Sequence, residues 1–125
     1  MTGGVFGTVV NCIDGRTQIP VNMYLRNNYN LDFVDTITEA GPVKILADKQ
    51  PALESIMNRV NISIGKHDSK MIAIVAHHDC AGNPVSKEDQ LIQLKKSLQT
   101  VLNRYPDMEC IGLWVNDSWQ VEKII

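Results

Sequence analysis

The sequence predicts an α/β fold: a mostly parallel central β-sheet with helices on its faces and a C-terminal antiparallel edge strand. Two short apolar runs, 5–12 and 71–76, have the composition of strands buried on both faces. Segments with apolar residues at helical spacing separate and follow them. The end of the chain, Glu109 to Val115 and then Trp119 to Ile124, reads as two strands joined through Asn116-Asp117-Ser118, an antiparallel hairpin at one edge.

The first strand, Val5 to Cys12, is rich in β-branched residues (Val5, Thr8, Val9, Val10). Pro20 favours the first turn of a short helix from Pro20 to Asn28, broken by the polar Asn27-Asn28-Tyr29-Asn30. A second strand is expected from Asp32 to Thr38, stopping at Gly41-Pro42. Between Ala47 and Gly65, Leu53, Ile56, Met57, Val60 and Ile64 recur at helical spacing. Asp48 is the expected N-cap there, with Pro51 in the first turn and Gly65 at the end. Met71 to Ala76 is short enough to be a central parallel strand. Ser86-Lys87-Glu88-Asp89 is a capping box with Asp in place of the usual Glu, and Leu91, Leu94, Leu98, Val101 and Leu102 trace one face of a helix reaching Arg104.

Length and composition are those of an ordinary globular chain. At 125 residues, 1–125 is expected to form one domain around one core without disulfide help. A formal charge of −2 gives no electrostatic reason to expect a nucleic-acid or membrane partner. Met1 to Val10 lacks a basic segment followed by a long apolar one, and no stretch approaches the ~20 apolar residues of a membrane span, so a cytoplasmic location is expected. Three cysteines do not make a disulfide framework. In a reducing compartment they are free for metal, with Cys110 the spare.

Two clusters carry the chemistry, and both fall at the C-terminal ends of strands, where ligands gather in parallel sheets. Cys12-Ile13-Asp14-Gly15-Arg16 follows the first strand and His77-His78-Asp79-Cys80 follows the third. Read as Cys-x-Asp-x-Arg and His-x-x-Cys, they offer two thiolates and an imidazole from Cys12, Cys80 and His77, a soft donor set suited to Zn²⁺. The fourth position is then left for chemistry. Asp14 and Arg16 sit beside the first ligand, where they can pair with each other or govern that position. Asp79 is read as a loop residue that at most orients an imidazole, and His67 as an incidental residue of a polar loop. Trp114 and Trp119 are read as edge-strand packing. Gly3, Gly4 and Gly7 precede a strand, which is the wrong context for a phosphate-binding loop.

In both motifs, and in the order of expected elements, the chain resembles the β-class carbonic anhydrases. The resemblance implies zinc held by Cys12, His77 and Cys80. It also implies an Asp14–Arg16 pair that either keeps the fourth zinc position open to water or releases Asp14 to occupy it. The expected activity is the reversible hydration of CO₂ to bicarbonate by a metal-bound hydroxide, with Asp14 and Arg16 as the catalytic pair, His78 as the nearest proton acceptor, and the chain assembled as a homodimer or higher homo-oligomer. Pro20 fits as well, since family members commonly place a proline shortly after the Arg.

The chain departs from the family pattern in several places. Gly15 replaces the usual Ser, Ala81-Gly82-Asn83 replaces Gly followed by Ala, and Glu39-Ala40-Gly41-Pro42 only faintly matches the family's Asn-Ala-Gly-Asn loop. The family's N-terminal helical arm, which wraps a partner and helps build the substrate pocket, has no counterpart in the sequence read. Two other readings therefore stand beside the first: hydrolysis of a related small electrophile such as COS or CS₂, and a catalytically silent zinc protein with Asp14 as fourth ligand.

Overall fold

The computed structural model describes residues 3–125; Met1 and Thr2, the start of the expected domain and of the N-terminal segment read above, lie outside the described residues. Five strands form one sheet: β1 (Phe6–Cys12), β2 (Phe33–Glu39), β3 (Met71–His77), β4 (Glu109–Val115) and β5 (Val121–Lys123). Their order is β2-β1-β3-β4-β5, parallel except for the antiparallel β4–β5 pair. Four helices connect them: α1 (Gln18–Tyr29), α2 (Pro42–Asp48), α3 (Leu53–His67) and α4 (Lys87–Arg104). The expected α/β class, the mostly parallel sheet and the antiparallel edge strand are all present. No helix among the described residues is long and apolar enough to cross a membrane.

Alternation along the strands builds two apolar layers. Ile72, Ile74 and Ala76 of β3 join Val10 of β1 in a core covered by α2, α3 and α4 through Leu46, Ile56, Met57, Val60, Leu94 and Leu98. Met71, Ala73 and Val75 face the other way, with Val9, Ile111 and Leu113, and pack under Val21 and Leu25 of α1. β3 is buried along its whole length. That explains its unbroken apolar run, because a strand covered on both faces has no solvent side to mark with polar residues.

The helices differ in detail from the sequence reading. A single 3₁₀ turn (Gly15–Thr17) leads directly into α1, which starts two residues before Pro20. The segment after Gly41 is not a break. Gly41 takes a left-handed backbone (φ 60°) and serves as N-cap of α2, with Pro42 in the first turn, where its missing N–H costs nothing. Asp48 is therefore the last residue of α2 and not the N-cap of α3, which begins at Leu53 after Ala52. Gly65 lies inside α3, two residues before its end. His67, expected in a loop, is the last residue of that helix; it stacks on Phe6 with ring centroids 4.2 Å apart and sets Nδ1 2.6 Å from Asp35 Oδ2. Trp119 is not in a strand but in the β4–β5 turn.

Ser86 caps α4 as expected: its hydroxyl accepts a hydrogen bond from the Asp89 N–H at 3.1 Å, satisfying one of the orphan donors of the first turn. Ser86→Ala should lower stability by about 1 kcal/mol in chemical denaturation, with an unchanged m-value.

Candidate metal centre

β1 and β3 are hydrogen-bonded neighbours, with Thr8, Val9 and Val10 opposite Ile72, Ala73 and Ile74. Their C-terminal ends therefore lie side by side, and each ends on a buried site residue, Cys12 on β1 and His77 on β3. Three residues beyond His77, Cys80 turns back into the same crevice, its sulfur 3.9 Å from that of Cys12. The donor atoms of Cys12, His77 and Cys80 all lie within 4.8 Å of one another, and all three residues are buried.

Backbone and side-chain hydrogen bonds fix this arrangement. Asn11, polar within an apolar run, accepts from the Cys12 N–H at 2.8 Å and from the Thr17 hydroxyl at 3.1 Å through its Oδ1. Gln18 donates to the carbonyls of Cys12 (2.7 Å) and Asp14 (3.0 Å), pinning the first motif from its C-terminal side. Across the crevice, buried Gln90 on α4 donates to the His77 carbonyl at 2.9 Å.

Main chain from two loops lies close to the two sulfurs. Backbone groups of Gly41 and Asp14 beside Cys12, and of Gly82 and Asn83 beside Cys80, favour the ionised thiol, and the Asn83 N–H donates to the Cys80 carbonyl at 3.2 Å. Close packing of two loops makes this possible. A Cβ on Gly41 would fall 2.8 Å from the Gly82 carbonyl oxygen, and one on Gly82 would fall 2.7 Å from the Ala40 carbonyl carbon. The loop at 39–42, only faintly matched in sequence, is thus part of the site, with Gly82 as its counterpart.

Protonation follows from these neighbours. The Cys80 hydrogen bond, with the imidazole of His77 and the backbone close by, outweighs burial and brings the Cys12 thiol down to about 4. Cys80 moves the other way: losing its proton would break its hydrogen bond to Cys12, bury a second charge and set it against the first. A cation between the sulfurs would offset the second charge. For His77, burial opposes the charge, but the Cys12 sulfur and the His78 carbonyl prevail and the pKa rises.

The residues present fit zinc. A carbonyl oxygen can only accept, so the 2.7 Å contact of His77 Nδ1 with the His78 carbonyl places the hydrogen on Nδ1 and leaves the Nε2 lone pair free. That Nε2 is buried without a hydrogen-bond partner among the described residues, an expensive state for a polar atom unless it is a ligand. Two sulfurs each ~2.3 Å from a tetrahedral ion would be about 3.8 Å apart, close to the separation found and far too long for a disulfide.

Asp14 lies at the rim, its carboxylate turned to Arg16. Arg16 donates from Nη2 to Asp14 Oδ2 at 2.7 Å and from Nε to Oδ1 at 3.1 Å. Those hydrogen bonds hold the Asp14 carboxyl down to about 2, while Arg16 moves upward. Asp79, expected at most to orient an imidazole, instead faces Arg16, its Oδ2 3.3 Å from Nη1 and its carbonyl accepting from Nη2 at 3.2 Å. Trp119 lies against the other side, with Arg16 Cζ 4.3 Å from the ring centroid. His78 is exposed and edge-on to Trp119 at 6.2 Å. Cys110 stands apart in β4, where burial raises its thiol to about 11.

Residues 2–125 match the family described as "Putative carbonic anhydrase". A search of curated proteins finds no match. Among solved structures, the chain is similar to a β-carbonic anhydrase from the filamentous ascomycete Sordaria macrospora, one of two described as tetrameric (TM-score 0.66, 9% identity, 98% of this chain and 82% of that one). It is also similar to CafA, a β-carbonic anhydrase of the fungal pathogen Aspergillus fumigatus (TM-score 0.60, 15% identity, 98% and 76%). At such identities these matches establish the shared fold.

The interlocked loops set a contrast between two glycines. Gly82→Ala should destabilise the protein by about 1–3 kcal/mol, because its methyl meets backbone that cannot give way. Gly15→Ser, with nothing within 4 Å of its Cβ, should stay within about 0.5 kcal/mol of the parent in the same denaturation experiment.

Proposed function

The chain belongs to this carbonic anhydrase family, and on that premise we propose that it hydrates carbon dioxide reversibly to bicarbonate, using zinc held by Cys12, His77 and Cys80. The observation that carries the reading is the buried convergence of two sulfurs and an unpartnered imidazole nitrogen beside an Asp–Arg pair. Zinc bound there supplies a Lewis acid that brings the pKa of water from ~15.7 toward ~7.

This chain's residues supply the rest. The backbone around Gly41, Asp14, Gly82 and Asn83 favours the thiolates, and the His78 carbonyl keeps a hydrogen on His77 Nδ1, so that Nε2 is the nitrogen presented. Asp14, held ionised and oriented by Arg16, accepts a hydrogen bond from the nucleophilic water and directs its lone pair at the electrophilic carbon. His78, exposed at the mouth, receives the released proton and passes it to solvent. Engagement of both Asp14 oxygens by Arg16 favours this reading over the silent one, in which the same carboxylate closes the tetrahedron.

The proposal includes a single domain over 1–125 and a homo-oligomer. Tetramers are described for the Sordaria proteins. In this chain Ile19, Met23 and Phe33 are exposed on α1 and the outer strand β2, whose free edge is open to pairing.

Purified protein should contain one zinc per chain and hydrate CO₂ rapidly by stopped-flow assay. Cys80→Ser should lose both metal and activity, whereas Asp14→Asn should keep zinc and slow hydration by about 10²–10⁴-fold. Zinc-loaded protein with no hydration above buffer would defeat the proposal, and COS and CS₂ assayed alongside decide the electrophile.

A further inference from the structure

Trp119 occupies a conformation that needs a reason. It sits in the β4–β5 turn at φ 58°, a left-handed backbone that a bulky side chain rarely adopts and that hairpin turns usually give to glycine or asparagine. The turn is tied down by Asn116. Its Oδ1 accepts from the N–H groups of Ser118 (2.9 Å) and Gln120 (3.0 Å), and its carbonyl accepts from the Trp119 N–H at 2.9 Å. The ring so presented lies half-buried against the Arg16 guanidinium, 4.3 Å from Cζ to centroid.

Arg16 is where three distant segments meet. Asp14 holds it from its own motif. Asp79, itself at φ 57°, holds it from the second motif through both carboxylate and carbonyl, and Trp119 covers it from the C-terminal hairpin. Arg16 is nevertheless about half exposed, and an exposed ion pair alone holds its geometry weakly against solvent. An aromatic face restricts the guanidinium plane and so aims its fork.

We propose that Trp119 is a positioning residue: it holds Arg16 on Asp14 and thereby keeps the Asp14 carboxylate away from the fourth metal position. The inference rests on the metal-site reading above. With the ring removed, Arg16 turns to solvent, and Asp14, released beside a cation, takes the vacant coordination position.

Cobalt(II) in place of zinc makes this visible, because thiolate-to-cobalt charge-transfer bands report the metal site and the d–d bands report the fourth ligand. The full chain and its variants would be loaded with cobalt and titrated with thiocyanate. The parent and Trp119→Phe should bind the anion with changed d–d bands. Trp119→Leu should bind it about tenfold or more weakly, and the double variant Trp119→Leu/Asp14→Asn should recover the parent's response. Recovery separates a released carboxylate from a damaged fold, which a second substitution would not repair. Equal thiocyanate binding in Trp119→Leu and the parent overturns the proposal, as does a weakened response that Asp14→Asn leaves unrestored. A cobalt-loaded parent silent to thiocyanate overturns it while leaving the metal site standing. Absence of charge-transfer bands in the parent overturns the metal-site reading, and this inference with it.

Discussion

Parallel pairing of β1 with β3 is the constraint on which everything at the site depends. The chain leaves β1 for β2 on one side and returns across it to β3 on the other, so the direction of winding reverses between these two strands. At such a reversal the connecting segments part to opposite faces and leave a crevice beyond the strand ends. Here α1 covers one face and α2, α3 and α4 the other. Cys12 and His77 end the two strands that border the crevice, so their meeting is a property of topology before it is one of chemistry.

Burial then decides what those side chains can do. Two thiols and an imidazole withdrawn from water cannot all take their charged forms without help, and for Cys12 the help comes first from the Cys80 thiol, then from His77 and the nearby backbone. Short loops wrapped around the strand ends bring their main chain close to the sulfurs, and they approach each other more closely than a side chain would permit. Arg16 works at the opposite extreme, in partial contact with water, where its effect depends on geometry and not on a low dielectric. The inner ring of the site is thus held by buried amide side chains and close-packed main chain, and its rim by charged side chains.

Much of this was legible in the residues. Strand order along the chain, the Ser86 cap and the terminal hairpin follow from periodicity and cap chemistry, and Cys12 and His77 end their strands with Cys80 three residues beyond. Short-range signals failed where a long-range contact decided the outcome. Gly41-Pro42 carries the composition of a chain break, yet Gly41 is fixed by its contact with Gly82 and starts α2, so the apolar residues at 43–47 belong to a helix of their own. His67 and Asp79 looked incidental because their partners, Asp35 and Arg16, lie 32 and 63 positions away. A local hint that was missed is Asn11, a buried amide in a strand of mostly apolar residues. A buried amide of that kind must have work for its oxygen, and it braces the loop that carries Cys12 and Asp14.

The sulfur atoms of Cys12 and Cys80 belong to residues 68 positions apart. On the ribosome the first is made several seconds before the second, at common rates of elongation. During that interval the early cysteine has no partner, and β1 has no β3 to lie against. A centre that needs all three donors can be completed only after β3 and the turn beyond it have been made.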